Sequence, residues 1–202
     1  MVRRVVVALL GPVTWTPPGV DPARFRTALA EDTVDLMATL TEVDTAVAVT
    51  PADRWVADAV TWPGMPVYEV AEPTPNAVFA ALSGYDQAAV LAADAPDVPG
   101  LTIGKLLRPL TSRPVAVAPA EGDGPGLFGV AVRLPVPEWL PPLDLDRTVP
   151  ATVRAAAPRP GDLAVTPAWR RLRGPADLAT LDPAVEGWEA TRALLSGAGH
   201  AG

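Results

Sequence analysis

The stretch Ala88-Ala-Val-Leu-Ala-Ala-Asp-Ala-Pro-Asp-Val-Pro99 decides how the chain is read, because an apolar run ends there in acid. From Ala88 to Ala93 there is no charged or bulky polar side chain, and then comes Asp94. Pro96 and Pro99 stop a strand from continuing, since proline has no N–H for a ladder. The pattern predicts a buried strand with a carboxylate at its carboxyl end. In open α/β sheets that edge is where ligands bind, which makes Asp94 and Asp97 candidate site residues. A second reading gives both a local role, with Asp97 capping the next helix and Asp94 accepting from turn amides.

Working outward, the same alternation recurs. Val5 to Leu10 is continuous and apolar, as a strand buried on both faces would be, and Gly11-Pro12 breaks it. Val13 to Gly19 should then be a loop at that strand's carboxyl end. Asp21-Pro22 supplies an N-cap and a first-turn proline for an amphipathic helix with Phe25, Leu29, Leu36 and Leu40 on one face. Ala46 to Val49 reads as a second strand, and Thr50-Pro51 as the start of a helix carrying Trp55 and Val56. Val67 to Val70 is a weaker third strand, and Thr74-Pro75 opens a helix with Val78, Phe79 and Leu82. Beyond the opening stretch, Leu101 to Leu110 reads as a helix and Val115 to Ala118 as a fifth strand. Such alternation predicts an α/β fold with right-handed crossovers and a mostly parallel sheet.

The remainder is less regular. The loop Pro119-Ala-Glu-Gly-Asp-Gly-Pro-Gly126 is too short for a helical crossover, so the strand expected at Leu127 to Leu134 should depart from the parallel pattern and make the sheet mixed. Residues 135–160 are proline-rich and read as irregular surface packing; the Asp144 and Asp146 pair in them has the look of a metal site but is read as an exposed turn. Leu163 to Val165 and Trp169 to Leu172 look extended. Gly174-Pro175 opens a short helix, and Asp182-Pro183 a final one in which Val185, Trp188, Leu194 and Leu195 face the body. One domain is expected over residues 1–202, with a flexible tail at 197–202 that includes His200.

Composition narrows the function. A net charge of −7 and no dense basic run make nucleic acid an unsuitable partner. With no cysteine there is no disulfide, thiolate nucleophile or cysteine-based metal site. The single histidine excludes a histidine-rich metal site. Met1-Val-Arg-Arg followed by Val5 to Leu10 imitates a signal peptide but lacks a small-residue cleavage site. No apolar run reaches the roughly 18 residues that cross a membrane, so a soluble, cytoplasmic protein is expected.

Several stretches, in order, resemble one family. Leu91-Ala-Ala-Asp-Ala-Pro-Asp-Val-Pro99 is similar to the strand-end signature of small bacterial proteins in the GT-A-fold nucleotidyltransferase and glycosyltransferase superfamily, the 2-phospho-L-lactate guanylyltransferases among them. Val117 to Gly129, with its Glu-Gly-Asp-Gly-Pro-Gly core, resembles that group's later glycine-rich segment. Phe25 to Thr33 looks like its first helix, and Pro175-Ala-Asp-Leu178 like its terminal Thr-Pro-x-Asp-Leu motif. The resemblance implies a three-layer α/β/α, Rossmann-like GT-A topology. It implies that Asp94 holds Mg²⁺ or Mn²⁺ on the phosphates of a nucleotide or sugar nucleotide. Gly11, Asp97, Asp123 and Gly124 would then be ligand contacts.

The chain also departs from that pattern. Its first loop, Gly11-Pro-Val-Thr-Trp-Thr-Pro-Pro-Gly19, lacks the family's phosphate-binding lysines, and Lys105 is the only lysine present. Arg171 and Arg173 stand where the family commonly carries acids that complete the metal site. These arginines either bind phosphate directly or pair structurally with Asp94. Two functions follow. In the first the fold is kept with catalysis lost or altered, and a small ligand or a protein partner is bound; a homo-oligomer is compatible with this. In the alternative, an active metal-dependent nucleotidyl- or glycosyltransferase acts on a nucleoside triphosphate or sugar nucleotide.

Overall fold

A computed structural model describes residues 2–197. The tail expected at 197–202 therefore lies outside the described residues from 198 onward, His200 included.

The apolar runs become strands β1 (Arg4–Leu9), β2 (Asp44–Val49), β3 (Val67–Glu69), β4 (Gln87–Ala92), β5 (Val115–Pro119), β6 (Leu127–Arg133) and β7 (Leu163–Val165). They form one seven-stranded sheet in the order β3-β2-β1-β4-β6-β5-β7. Every residue of β4 is buried, as a strand covered on both faces requires. β6 pairs antiparallel with both β4 and β5, and the other pairings are parallel, so the sheet is mixed for the reason its short loop implied.

Alternate strand residues feed two cores. On one face Val6, Ala8, Val47, Ala89 and Leu91 pack with α1 (Pro22–Ala38), α2 (Arg54–Val60) and α4 (Gly100–Leu107). On the other, Val5, Val7, Ala46, Ala88 and Val90 pack with α3 (Pro75–Ala81) and α5 (Pro150–Ala156). The result is three layers. The Asp21 carboxylate caps α1 through the Arg24 N–H at 2.8 Å, and the Thr74 hydroxyl caps α3 through Ala77.

Two expectations need correction. Residues 135–160 are not merely irregular surface: they contain α5, and Leu140, Leu143 and Leu145 are buried under the sheet. The final helix does not begin at Asp182-Pro183. After the short α6 (Pro175–Leu178) the Asp182 carboxylate accepts from the Ala184 N–H in a tight turn. Gly187, at φ 100°, ends that irregular stretch, and α7 (Glu189–Leu195) follows with Trp188 and Leu194 buried and Val185 exposed.

The topology places the site. From β1 the chain winds outward through β2 to β3, then crosses back to lay β4 on β1's other side. A crevice opens at the carboxyl ends of β1 and β4 where the winding reverses. Gly11 and Asp94 follow those two strands.

Candidate functional site

After β7 the chain runs beside β5, with the Thr166 N–H on the Val117 carbonyl and Trp169 bridged to Ala120. It then crosses to the end of β4, where the Leu172 N–H donates to the Asp94 carbonyl at 2.7 Å. That crossing delivers two consecutive arginines to two carboxylates.

Arg171 is buried and gripped from all sides. Its Nε and Nη2 donate to Oδ1 and Oδ2 of Asp94 at 2.6 and 2.8 Å, a bidentate pair. Nη2 also donates to Oδ1 of Asp146 at 2.7 Å. Nη1 donates to the carbonyls of Leu127 and Leu145 at 3.2 and 2.8 Å. A guanidinium has five N–H groups, and all of them are used within the protein. Burial opposes the charge, but Asp94 and then Asp146 outweigh it and hold Arg171 protonated above its ordinary value. Arg170 mirrors the arrangement one residue earlier: its Nε and Nη2 donate to Oδ2 of the buried Asp97, which also accepts from the Trp169 indole.

Asp97 is therefore an ion-pair partner and not a cap. The residue at the start of α4 is Pro99, which makes no side-chain cap bond. Asp94 likewise serves Arg171 and no turn amide. Asp144 and Asp146 do sit in a turn, with the Asp144 carboxylate accepting the Asp146 N–H at 2.8 Å and the Thr148 hydroxyl accepting the Asp144 N–H. Both side chains stay about half exposed, yet Asp146 reaches Arg171, and that contact is what sequence reasoning missed. Nothing in a proline-rich run signals that one of its acids reaches a buried arginine.

Beside the Asp94–Arg171 pair lies a cavity of about 330 Å³. Leu10 and Gly11 after β1, Arg26 of α1, Glu72 to Thr74 after β3, and Asp94, Asp144, Asp146 and Arg171 are among its lining residues. Arg26 donates to Asp53 at 2.7 Å and to the Leu10 carbonyl at 3.0 Å, and its guanidinium lies 5.6 Å from the Trp55 ring centroid. The Arg26 hydrogen bond holds the Asp53 carboxyl below its ordinary value. Four carboxylates thus line the cavity against two guanidiniums, both in ion pairs, with the buried Arg26 Nε–H left without a partner. Of the candidate residues, Gly11, Asp94 and Arg171 come together here. The other four do not line it: Asp97 pairs with Arg170, Asp123 and Gly124 lie on an exposed loop, and Arg173 donates to the Pro125 carbonyl at 2.6 Å.

A divalent metal does not fit this arrangement as it stands. Mg²⁺ and Mn²⁺ need carboxylate oxygens at about 2.0–2.2 Å, and both Asp94 oxygens already face a guanidinium. Among the described residues no group of three or more His, Cys, Asp or Glu side chains is placed to hold a metal ion. Nor is any of their helices long and apolar enough to cross a membrane.

Layers, strand order and the crevice define an α/β protein with the nucleotide-diphospho-sugar transferase fold, which nucleotidyltransferases share. One solved structure with this fold is a nucleotide-diphospho-sugar transferase assignment from Desulfovibrio desulfuricans, 16% identical, with a TM-score of 0.69 over 98% of this chain and 96% of that one. Another is the 4-diphosphocytidyl-2C-methyl-D-erythritol synthase of Anaerococcus prevotii, at 10% identity and a TM-score of 0.59, covering 89% of this chain and 95% of that one. A third is a CMP:2-keto-3-deoxy-manno-octonic acid synthetase complexed with CTP, at 14% identity and a TM-score of 0.56, covering 88% and 96%. Identities this low show the fold alone. No family model matches the chain, and no curated protein matches it.

Proposed function

We propose that the protein binds a small molecule in the cavity at the ends of β1 and β4, on a nucleotidyltransferase-like fold whose catalysis is lost or altered. The observation that carries this is the saturation of Arg171. With every N–H committed to Asp94, Asp146 and two carbonyls, it has no donor left for a phosphate. Of the two roles open to this arginine in the sequence, pairing with Asp94 is the one the geometry supports. The excess of carboxylates in the lining further disfavours a triphosphate and favours a ligand that donates hydrogen bonds.

The rival reading, a Mg²⁺- or Mn²⁺-dependent transferase acting on a nucleoside triphosphate or sugar nucleotide, draws support from the fold it shares with such enzymes. Thermal-shift measurements with nucleoside triphosphates, sugar nucleotides and uncharged or amine-bearing small molecules, each with and without Mn²⁺, separate the two. A ligand at 100 times its Kd adds about 2.7 kcal/mol to stability, well within detection. The expected result is stabilisation that needs no metal. A triphosphate shift that requires Mn²⁺ and vanishes in Asp94→Ala establishes the rival instead.

A further inference from the structure

The Arg171 Nη2 nitrogen sits 2.8 Å from Asp94 Oδ2 and 2.7 Å from Asp146 Oδ1. One positive nitrogen thus bridges carboxylates brought together from the end of β4 and from the turn around residues 144–148. Two carboxylates this near each other repel unless a cation lies between them. Here the cation belongs to the chain, and its remaining N–H groups anchor it to Asp94 Oδ1 and the carbonyls of Leu127 and Leu145.

We propose that the Arg171 guanidinium is a built-in replacement for a divalent cation, closing a latent Asp94–Asp146 metal site. Hard carboxylate oxygens are the donors Mg²⁺ and Mn²⁺ prefer, and one or two carboxylates with several waters is a usual set for Mg²⁺. Without the guanidinium those oxygens face a cavity with room for a hydrated ion. An exchangeable metal would come and go with its ligand, whereas this charge is permanent. The inference deepens the ligand-site reading but is tested apart from it.

The test is a Mn²⁺ titration followed by electron paramagnetic resonance. It compares the wild type, Asp94→Asn, Asp146→Asn, Arg171→Ala and the double variant Arg171→Ala/Asp94→Asn, with folding checked by circular dichroism. The wild type and its two Asn variants should take up Mn²⁺ equally weakly. Arg171→Ala should gain about tenfold or more in Mn²⁺ affinity by freeing hard oxygen donors, and the double variant should lose that gain. Wild-type Mn²⁺ binding that falls in Asp94→Asn or Asp146→Asn overturns the proposal, and so does a folded Arg171→Ala without a gain. If Arg171→Ala does not fold, Arg171→Met, which keeps the packing of the aliphatic stem while removing the charge, is titrated in its place with the same two outcomes. Ligand binding is read separately, so failure of every metal-free ligand would sink the proposed function and leave the Mn²⁺ result standing.

Discussion

Arg171→Ala leaves Asp94 and two buried carbonyls, those of Leu127 and Leu145, without their donor. Breaking a buried ion pair from one side costs about 3–5 kcal/mol, a large part of a typical total of about 5–15 kcal/mol. Urea denaturation should show a loss of that size. Replacing both partners, Arg171→Met with Asp94→Leu, should cost less than Arg171→Ala alone, because no lone charge stays buried. Gly129 on β6 is a second sensitive residue, since a Cβ there would lie 2.8 Å from Leu91 Cδ2 and 2.9 Å from Leu106 Cδ2. Gly129→Ala should therefore lower stability by about 1–3 kcal/mol through overpacking, read in the same titration. At this scale Asp94 was legible because prolines follow it and force a strand to end in acid. Asp146 was not, because its partner lies 25 residues away and no local pattern reports that.

α7 packs on α1 through Leu194 against Phe25, Ala28 and Leu29, and one carboxylate of α1 ties down its start. Asp32, buried, accepts from the backbone N–H groups of Ala190 and Thr191 at 2.9 Å each, at the start of that helix. Burial pushes its carboxyl up from the ordinary 3.8 to about 6, against the opposing pull of those hydrogen bonds. The folded protein therefore binds a proton in this range that the unfolded chain has already released. The contribution is fully present below pH 3.8 and is lost as the pH rises through about 6. Denaturant midpoints between pH 4 and pH 7 should reveal this falling term, and Asp32→Asn should flatten it. The helix itself was only half legible: the apolar Trp188 and Leu194 signalled a packed element, but the Asp-Pro start pointed to residues that the turn at Asp182 and Gly187 keeps irregular.

For the molecule as a whole, alternating apolar runs and cap-proline starts carried the layered fold, and the short loop before β6 carried its one reversed strand. The order of the strands was not legible in the same way, because crossovers preserve no trace of which neighbour a strand will choose; the resemblance named a GT-A topology, and the structure supplied the order. The order matters, since it puts Gly11 and Asp94 at one crevice. A Cβ on Gly11 would meet only Pro73 Cβ, at 3.8 Å, and Gly11 does not have the positive φ that demands glycine. Gly11→Val should thus change stability by about 0.5 kcal/mol or less while removing ligand-induced thermal shifts, because its side chain would occupy the cavity. The two arginine clasps have a consequence in time. Asp94 and Arg171 are 77 residues apart, and Asp97 and Arg170 are 73 apart. As the chain leaves the ribosome, β1 to β4 emerge with their terminal carboxylates still unpaired, waiting for residues made much later. The pocket wall is among the last parts of the protein to be completed, and a chain cut short before Trp169 would keep most of the sheet but never close the site.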